Sequence, residues 1–388
     1  MSYVYKSSNH RTRTPNRGRR GQYIDPAKFV RAASPTQADD YTPTNTFSNF
    51  RIAQLLKVNL SNKGYKVPTP IQDQTIALAL EGKDIIGIAD TGTGKTAAFA
   101  IPVLNQLMEY RNSKALIIAP TRELAQQIQT EFRWMAGGSG LTTAVLIGGS
   151  PMNPQLRDLR NNPRIVVGTP GRIKDHIERR TLQLSSFNIV VLDEVDRMLD
   201  MGFVHDVRKI LSQVNEKRQS YFFSATMDAR VKDLIQTFSN EPVSISIKSG
   251  ESSENVHQDV VRYGTPYQKL DKLHDILIKG EVKKILVFDE TRRSVERLYK
   301  ELAARGFKAD AIHGGKTQGQ RQRALNSFKN NEVSILVATD VAARGIDIAD
   351  ITHVINYSLP QSYDDYIHRI GRAGRAGQIG YALTFITE

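Results

Sequence analysis

Residues 189–196 read Ile-Val-Val-Leu-Asp-Glu-Val-Asp, a run of four apolar residues that leads directly into a group of carboxylates. The run is too apolar for a half-exposed strand, and it predicts a strand buried on both faces of a parallel sheet. Asp193 and Glu194 would follow the carboxyl end of that strand, where open α/β sheets bind their ligands. The stretch therefore predicts an α/β fold with a polar site at one edge of a parallel sheet.

A second stretch, Ala89-Asp-Thr-Gly-Thr-Gly-Lys-Thr96, has the pattern of a phosphate-binding loop. It follows an apolar run at 85–88 and precedes a helix-like segment over 97–108, with a bend expected at Pro102. This is the strand–loop–helix context that the pattern requires. Glycine at positions 92 and 94 allows backbone N–H groups to surround a phosphate. The Lys95 side chain would reach the β- and γ-phosphates, and the Thr96 hydroxyl would bind Mg²⁺.

The carboxylates at 193 and 194 complete the predicted metal–nucleotide site. Asp193 would hold Mg²⁺ through water, and Glu194 would orient and deprotonate the attacking water. A simpler alternative is that the carboxylates only cap a helix over 195–201. That alternative accounts for Asp193 but leaves the paired loop unexplained.

The chain repeats itself at low fidelity. Residues 114–124 match 284–294, and residues 165–169 match 335–339, both at a shift of 170 residues. A Gly-Gly pair between them recurs at a shift of 166 residues. The near-constant shift predicts two copies of one parallel-sheet domain, with chance similarity among short strands followed by Thr and Arg as the alternative.

Only the first copy carries the phosphate loop and the paired carboxylates; the second copy has Val354-Ile-Asn-Tyr-Ser near the corresponding place. The first half is therefore predicted to hold the nucleotide, and the second half must contribute something else. We expect the first domain over residues 41–247, a polar linker over 248–254 and the second domain over 255–388.

Composition narrows the class of protein. The chain has 388 residues, of which 40% are hydrophobic and 24% charged, as expected for a globular protein of two or three domains. It contains no cysteine, which excludes disulfides and cysteine-ligated metal sites. No apolar run is long enough to span a membrane. The net charge of +13 favours a polyanionic partner, nucleic acid first, and a basic surface that only keeps the protein soluble is the alternative.

Basic residues outnumber acidic ones in residues 1–40. The first twenty residues are too polar to form a core, so we expect a basic, largely disordered arm. A short helix is expected from Pro26 through Ala33. The arm could contact phosphates without sequence preference, or it could be a solvated tail; an organellar transit peptide is a weaker alternative.

A series of short motifs follows one fixed order along the chain. They are Pro68-Thr-Pro-Ile-Gln72, the 89–96 loop, Pro120-Thr-Arg-Glu-Leu124, Gly148-Gly149, Thr169-Pro-Gly-Arg172, Asp193-Glu-Val-Asp196, Ser224-Ala-Thr226, Gln318-Gly-Gln-Arg321, the 339–347 stretch and the 368–375 stretch. From about Phe47 to Glu388 the chain resembles the DEAD-box ATP-dependent RNA helicases, whose fold is two tandem RecA-like domains. Several of these motifs are weak alone, but their shared order makes chance negligible.

The resemblance implies roles for individual residues. The implied ATP-binding residues are Phe47, Gln72, Thr91, Gly92, Thr93, Gly94, Lys95, Thr96, Gly345 and Asp347. The implied catalytic residues are Lys95, Asp193, Glu194, Arg372 and Arg375, and the Mg²⁺ ligands are Thr96 and Asp193. Arg372 and Arg375 resemble arginine fingers, which can reach the γ-phosphate only when the two domains close.

The remaining motifs resemble those that contact RNA or couple it to ATP. The implied RNA contacts are Pro120, Thr121, Arg122, Gly149, Thr169, Gly171, Arg172, Gln318, Arg321 and Thr339. The implied coupling residues are Asp196, Ser224, Thr226 and His368. The sequence departs from the family pattern at Val195, where Ala is usual, at Gly315, where Asp is common, and at Ala373, where Thr is frequent. We expect only packing effects at Val195, and the RNA-side contact at Gly315 does not carry over.

We therefore expect RNA-stimulated ATP hydrolysis, with ATP and Mg²⁺ as cofactors, in which domain closure locally separates short RNA duplexes or remodels ribonucleoprotein. RNA would be bound with little sequence specificity by a cytoplasmic monomer without a membrane partner. An ATP-gated RNA clamp or scaffold with little strand separation is the alternative. A DNA translocase is disfavoured by the motif at 68–72, and a metabolic kinase would explain neither the duplication nor the two arginines.

Overall fold

The computed structural model describes residues 24–34, 41–90, 92–247, 254–279, 283–343, 348, 350–374 and 378–388. In this part of the chain the strands form two sheets, each flanked by helices, and their neighbouring strands run parallel. The predicted α/β fold with two tandem parallel sheets is confirmed. Within the same residues, no helix has the length and apolar character needed to cross a membrane.

The first sheet has the strand order β3-β4-β2-β5-β6-β1-β7. Its strands are β1 (Ile85–Ile88), β2 (Ala115–Ile118), β3 (Thr143–Leu146), β4 (Ile165–Gly168), β5 (Ile189–Leu192), β6 (Gln219–Ser224) and β7 (Val243–Ser246). The helices of this half are α1 (Gln54–Asn62), α2 (Pro70–Leu80), α3 (Lys95–Glu109), α4 (Arg122–Met135), α5 (Met152–Arg160), α6 (Pro170–Glu178), α7 (Val195–Asp200), α8 (Val204–Leu211) and α9 (Ala229–Phe238). Pro102 lies inside α3, which continues through it.

Strand β5 lies in the middle of the first sheet and is fully buried. Ile189 and Val191 belong to the hydrophobic core on one face of the sheet. Val190 and Leu192 belong to the core on the other face. Because successive side chains of a strand point to opposite faces, an unbroken apolar run is what two covering helix layers require. The run at 189–192 was predicted to be such a strand.

The second sheet has the order β10-β11-β9-β12-β13-β8. Its strands are β8 (Val256–Tyr263), β9 (Ile285–Phe288), β10 (Ala309–Ile312), β11 (Ile335–Ala338), β12 (His353–Asn356) and β13 (Gly380–Thr387). The helices are α10 (Pro266–Leu277), α11 (Arg292–Ala304), α12 (Gln318–Lys329), α13 (Asp340–Ala343) and α14 (Tyr363–Ile370). The six strands of this order correspond one by one to the first six of the other sheet, which are β3, β4, β2, β5, β6 and β1. The repeat seen in the sequence is therefore a repeat of topology.

Among the described residues of the second half, the connection from β8 to α10 contains no counterpart of the phosphate loop. Strand β8 corresponds to β1, and the helix that follows it, α10, carries Lys269. The Nζ of Lys269 lies 4.7 Å from the ring centroid of Tyr263 and 4.1 Å from that of Tyr357. Tyr357 directly follows β12, at the place that Asp193 has after β5. Aromatic side chains therefore occupy the region where the first half has carboxylates.

The beginning of the described chain departs from the sequence prediction. A 3₁₀-helix covers only Pro26–Phe29, with Asp25 as its cap, and the chain then runs extended rather than helical to Ala33. Residues 24–34 pack on the second sheet, because Phe29 is buried there. The rest of the arm, 1–23 and 35–40, and the linker residues 248–253 lie outside the described residues.

Candidate active site

Most of the predicted functional residues lie at one edge of each sheet, beyond the carboxyl ends of the strands. In the first half, the phosphate loop, the paired carboxylates and the segment from Ser224 to Thr226 follow β1, β5 and β6, which are neighbours in the sheet, while Phe47 and Gln72 precede β1. The predicted RNA contacts follow β2, β3 and β4, which form the other side of the same sheet. The two predicted sites therefore lie side by side along the same edge of the sheet, and the boundary between them falls between β2 and β5. Open α/β sheets bind their ligands at this edge.

The phosphate loop connects β1 to α3. Gly92 and Gly94 have φ values of 88° and 94°, a left-handed conformation that glycine adopts without strain. Lys95 is buried, and its Nζ donates a hydrogen bond of 2.7 Å to the carbonyl of Ala89. The Lys95 side chain therefore lies against the phosphate loop, and the same loop would bind the phosphate. Thr91 lies outside the described residues.

Gln72 connects the start of α2 to the phosphate loop. Its Nε2 donates to the carbonyl of Gly94 at 3.1 Å, and its Oε1 accepts from the backbone N–H of Thr69 at 3.0 Å. The Thr69 hydroxyl donates to the carbonyl of Thr93 at 2.8 Å. A side-chain amide has two N–H donors and two lone pairs on its oxygen, so these two bonds use one donor and one acceptor site of Gln72. The contact with adenine implied by the resemblance stays a prediction for this residue.

Phe47 lies in an aromatic group beside this helix and is 5% exposed. Its ring centroid is 5.5 Å from that of Tyr65 and 6.2 Å from that of Phe50. Most of the Phe47 ring is therefore packed inside the hydrophobic core of the first half. The contact with adenine implied by the resemblance stays a prediction.

Asp193 and Glu194 are both buried at the end of β5. Burial and the charge of Glu194 raise the pKa of Asp193, against the lowering effect of Lys95. Burial also acts to raise the pKa of Glu194, but Arg197, Arg372 and Lys95 outweigh it and lower that pKa. The side chain of Glu194 is held by Arg197, whose Nη1 lies 2.7 Å from Oε2. The pair thus contains one carboxylate held ionised by cations, Glu194, and one buried carboxyl, Asp193, whose pKa is raised.

The geometry fits an Mg²⁺ ion. The Oδ1 atom of Asp193 is buried and has no hydrogen-bond partner among the described residues, and the Thr96 side chain lies partly exposed at the start of α3. Within those residues no three His, Asp or Glu side chains form a cluster that could hold a metal. Mg²⁺ does not need one, because it is commonly held by one or two protein oxygens together with substrate phosphates and water.

Asp196 links the carboxylate loop to the end of β6. Its Oδ2 accepts hydrogen bonds from the backbone N–H groups of Ala225 and Thr226 at 3.1 and 2.9 Å, and from the Thr226 hydroxyl at 3.1 Å. Its own N–H donates to the Ser224 hydroxyl at 3.3 Å. The predicted coupling residues Asp196, Ser224 and Thr226 are therefore in direct contact.

The second half reaches this site through α14. Arg372 is 4% exposed and, with Arg197 and His368, lines a small cleft that both halves form. The neighbouring Arg369 has a structural role, because its guanidinium binds both carboxylate oxygens of Asp340 at 2.5 and 2.7 Å. Three further predicted site residues, Gly345, Asp347 and Arg375, lie outside the described residues.

The predicted RNA contacts of the first half surround Arg122. A Cβ atom on Gly149 would lie 2.0 Å from the Nη1 of Arg122, so only glycine leaves room for this guanidinium. Arg172 donates to the carbonyl of Ser150 in the same loop at 3.2 Å. Thr121 caps α4, and Thr169 stands at the start of α6. These two helix starts present backbone N–H groups that favour phosphate. Pro120 is buried beside them, and Gly171 is exposed.

The predicted RNA contacts of the second half lie partly against the first half. Arg321 Nη2 is 2.9 Å from Glu123 Oε1. Gln318 Nε2 donates to Glu123 Oε1 at 3.3 Å and to Gln126 Oε1 at 3.1 Å. Both side chains are buried, yet Gln318 Oε1 and Arg321 Nε have no hydrogen-bond partner among the described residues. Thr339, also buried, follows β11.

Two kinds of residue at the site were not predicted from the sequence. Glu123 pairs with the predicted residue Arg321, and Arg197 pairs with the predicted residue Glu194. These pairings are visible only in the folded chain. Arg292 lies beside Gly314, where an added Cβ would be 3.3 Å from its Nε. It repeats the relation of Arg122 to Gly148, where an added Cβ would be 3.5 Å from the Arg122 Nη2. The shift of 170 residues between Arg122 and Arg292 was a signal that could have identified it.

Comparisons with known proteins agree with this geometry. Residues 69–234 match the family model described as DEAD/DEAH box helicase, and residues 268–377 match the helicase conserved C-terminal domain. ATP-dependent RNA helicase CshA of Limosilactobacillus reuteri is 45% identical over 343 residues, which are 88% of this chain and 69% of that protein. The chain belongs to the DEAD-box ATP-dependent RNA helicases. This helicase is accordingly an ATP-hydrolysing enzyme that binds nucleotide and RNA, and its two sheets are the tandem RecA-like domains of that family.

Solved helicase structures differ in how closely they match. Mss116p, with its NTE and C-tail deleted and bound to ssRNA and AMP-PNP, gives a TM-score of 0.80 at 28% identity and covers 90% of this chain and 76% of that one. Prp28 from Chaetomium thermophilum bound to ADP gives 0.51 at 39% identity and covers 89% of this chain and 85% of that one. The more similar sequence therefore has the less similar overall structure.

Proposed function

We propose that this DEAD-box helicase hydrolyses ATP at a site completed by both domains. Asp193 and Glu194 would come from the first domain, and Arg372 and Arg375 from the second. The observation that carries the proposal is that Arg372 of the second domain lines a small cleft together with Arg197, whose Nη1 lies 2.7 Å from Oε2 of Glu194. Arg375 enters through its spacing from Arg372 in the sequence.

Each group has a separate task in the proposed reaction. The loop amides and Lys95 bind the β- and γ-phosphates, and Gln72 reads the adenine edge with its remaining donor and acceptor. Glu194 orients the attacking water and accepts its proton. Arg372 stabilises the negative charge that develops on the transferred phosphoryl group. Mg²⁺ held by Thr96 and Asp193 would neutralise phosphate charge when it is bound.

RNA would control when the domains meet. The contacts of Gln318 and Arg321 with Glu123 support the view that this structure corresponds to a closed form, as does its likeness to Mss116p bound to ssRNA and AMP-PNP. A single strand that crosses both domains would favour closure, and so would ATP. By linkage, each ligand then raises the affinity for the other by the same factor. Asp196, Ser224, Thr226 and His368 would transmit this coupling.

The RNA path would run over the loops after β2, β3 and β4 and the corresponding loops of the second domain. Its protein contacts are mainly backbone groups, helix starts and arginines, which bind phosphate and sugar rather than base edges. Little sequence specificity is expected, and the bend imposed on one strand would separate short duplexes.

We further propose domains at 41–247 and 255–388, a monomeric state and a cytoplasmic location.

Lys95→Ala tests the assignment of the nucleotide site. We expect RNA-stimulated ATP hydrolysis and duplex unwinding to be lost together, because the side chain that binds the phosphates is gone. Both should be measured with the same RNA, in a radiolabelled-phosphate assay and a strand-displacement assay. Unchanged turnover in this variant would contradict the proposed site. Strong hydrolysis by the unmodified protein without strand release would instead favour the clamp.

A further inference from the structure

Residues 24–34, here called the docking segment, precede the first domain in the chain but pack on the second. Phe29 is 1% exposed and belongs to the hydrophobic core that also contains Tyr366 and Ile370 of α14. The ring centroids of Phe29 and Tyr366 lie 4.7 Å apart. Ile24 packs against the same core. The docking segment therefore contributes side chains to the interior of the second domain.

The backbone of the docking segment also pairs with the second sheet. Arg31 and Gln258 exchange two hydrogen bonds, with Arg31 N donating at 3.0 Å and Gln258 N donating at 2.8 Å. Ser34 N donates to the carbonyl of Glu254 at 2.9 Å. Strand β8 is at one end of the sheet order, so the segment covers part of an edge that would otherwise expose unpaired backbone groups. Edge pairing of an extended segment is a common mode of peptide recognition.

Further contacts connect the docking segment to α14. The Nζ of Lys28 lies 5.4 Å from the ring centroid of Tyr363, within the range of a cation–π contact. The hydroxyl of Tyr366 donates to the buried Oε1 of Gln258 at 2.9 Å. The segment, the edge strand β8 and the start of α14 thus hold one another through side-chain and backbone contacts.

The end of α14 leads into the loop that carries Arg372. Ala373 is buried in the same core as Phe29. Gly374 has a φ of 68°, and a Cβ there would lie 2.9 Å from Val256 Cγ2 and 3.0 Å from the carbonyl of Asn255. The arginine loop therefore rests directly on the first residues of β8. Because closely packed interiors transmit displacements, a shift of β8 or α14 moves this loop as well.

We propose that the docking segment is an integral part of the second domain and that Phe29 is a positioning residue for Arg372. The proposal rests on the catalytic role proposed above for Arg372. Phe29 packs against the side of α14 that faces away from the cleft and holds the helix in place. The helix in turn determines the position of the loop that carries Arg372. A catalytic group that is misplaced by about 1 Å can lose on the order of a hundredfold in rate.

Full-length variants of adjacent residues test this role. For Phe29→Ala we expect kcat of RNA-stimulated ATP hydrolysis to fall roughly tenfold to a hundredfold, with KM for ATP within about twofold because the phosphate loop and Gln72 belong to the first domain. Phe29→Leu keeps apolar bulk and should lose only a few-fold. Val30→Ala is the matched control, because Val30 is 54% exposed, and its kcat should equal that of the unmodified protein. Wild-type kcat in both Phe29 variants would overturn the proposal.

A double-substitution cycle separates positioning from simple loss of stability. In an Arg372→Ala background, Phe29→Ala and Phe29→Leu should lower single-turnover hydrolysis no further, because the group that Phe29 positions is absent. An equal fold-loss in both backgrounds would show a general structural effect and overturn the proposal. If Phe29→Ala fails to fold, as judged by thermal unfolding, Phe29→Leu completes the cycle. If Arg372→Ala alone leaves hydrolysis unchanged, the proposed function fails, and that result is distinct from a failure at Phe29.

Discussion

Glu194 has a left-handed backbone conformation, with φ and ψ both at 55°. A residue other than glycine in this region costs roughly 1–3 kcal/mol, and such strain concentrates at functional sites. Two contacts maintain it: the ion pair with Arg197 and the hydrogen bond from Met198 N to the Glu194 carbonyl at 3.1 Å. The conformation ends β5 abruptly and starts α7 one residue later. It leaves the Glu194 carboxylate at the strand end, close to the cations of both domains.

Glu194→Gln tests the proposed general base at the residue scale. The amide keeps the size of the side chain but cannot accept a proton, so we expect ATP to bind with similar affinity and hydrolysis to fall on the order of 10²- to 10⁴-fold. Single-turnover hydrolysis and nucleotide titration measure the two quantities separately. Glu216→Gln is the control, since Glu216 is exposed, and both quantities should be unchanged. Hydrolysis within about threefold of the unmodified protein would exclude Glu194 as the base.

Local patterns in the sequence were sufficient to place groups that directly follow a strand. The loop at 89–96 and the carboxylates at 193–194 both follow short apolar strands that the structure contains, while their roles stay predictions. The partners of these groups were not predictable in the same way. Glu123 contacts Arg321 only because the two domains come together. Neither the local sequence nor the composition predicts which residues meet there.

At the scale of elements, the loop after β3 makes room for the Arg122 side chain. Gly149 has a φ of 74°, and an added Cβ would lie 2.0 Å from Arg122 Nη1. We expect Gly149→Ala to displace Arg122 and strain the loop, and so to weaken binding of single-stranded RNA by roughly tenfold, the equivalent of about 1.4 kcal/mol. The affinity for ATP should not change. Fluorescence anisotropy with labelled RNA, with and without a nucleotide analogue, measures the effect.

Gly306→Ala, in the loop between α11 and β10, is the matched control for that substitution. Gly306 has a φ of 87°, and a Cβ there meets nothing within 4 Å, so this variant shares the backbone strain without the collision. The loop precedes β10, at the edge of the sheet opposite the predicted RNA contacts, so RNA affinity should stay the same. If Gly149→Ala binds RNA as well as Gly306→Ala does, the loop does not position Arg122 for RNA.

Element prediction was least accurate at the beginning of the chain. The sequence at 25–33 has a helix start, Asp25 and Pro26, and this start is present. The expected helix does not continue, because Phe29 enters the core of the second domain and Arg31 pairs with Gln258. A single buried ring and one edge pairing override local helix preference there, and both depend on a strand more than two hundred residues later in the chain.

At the scale of the whole molecule, the buried pair of Arg321 and Glu123 connects the two domains. Removing one partner of a buried ion pair costs roughly 3–5 kcal/mol, because the other charge stays buried without a counter-ion. Without Arg321, Glu123 would keep the neutral amide of Gln318 as a hydrogen-bond donor but would lose its counter-ion. In an open form both groups are hydrated, so the cost falls on closure alone. We expect Arg321→Met to weaken RNA binding in the presence of an ATP analogue by at least a hundredfold, while ATP affinity without RNA is unchanged.

The double variant Arg321→Met with Glu123→Gln completes that cycle. It removes the charge left unpaired by the first substitution, so we expect it to recover a large part of the lost affinity. Arg133→Met, on the exposed part of α4, provides the control for loss of one positive charge. Equal losses in the single and the double variant would mean that the pair does not stabilise the closed form, and that Arg321 acts on RNA alone.

The net charge of +13 and the phosphate-directed contacts predict how salt affects the whole molecule. Each phosphate neutralised on a single strand adds about −0.7 to the slope of log affinity against log salt, so about five contacts give a slope of roughly −3 to −4. Arg122→Gln should make the slope shallower by about 0.7, since it removes one of these contacts. Lys217→Gln, before β6 at the opposite edge of the first sheet, should leave the slope unchanged. Equal slopes for the two variants would mean that the positive charge acts through the general field of the protein and that Arg122 contacts no phosphate.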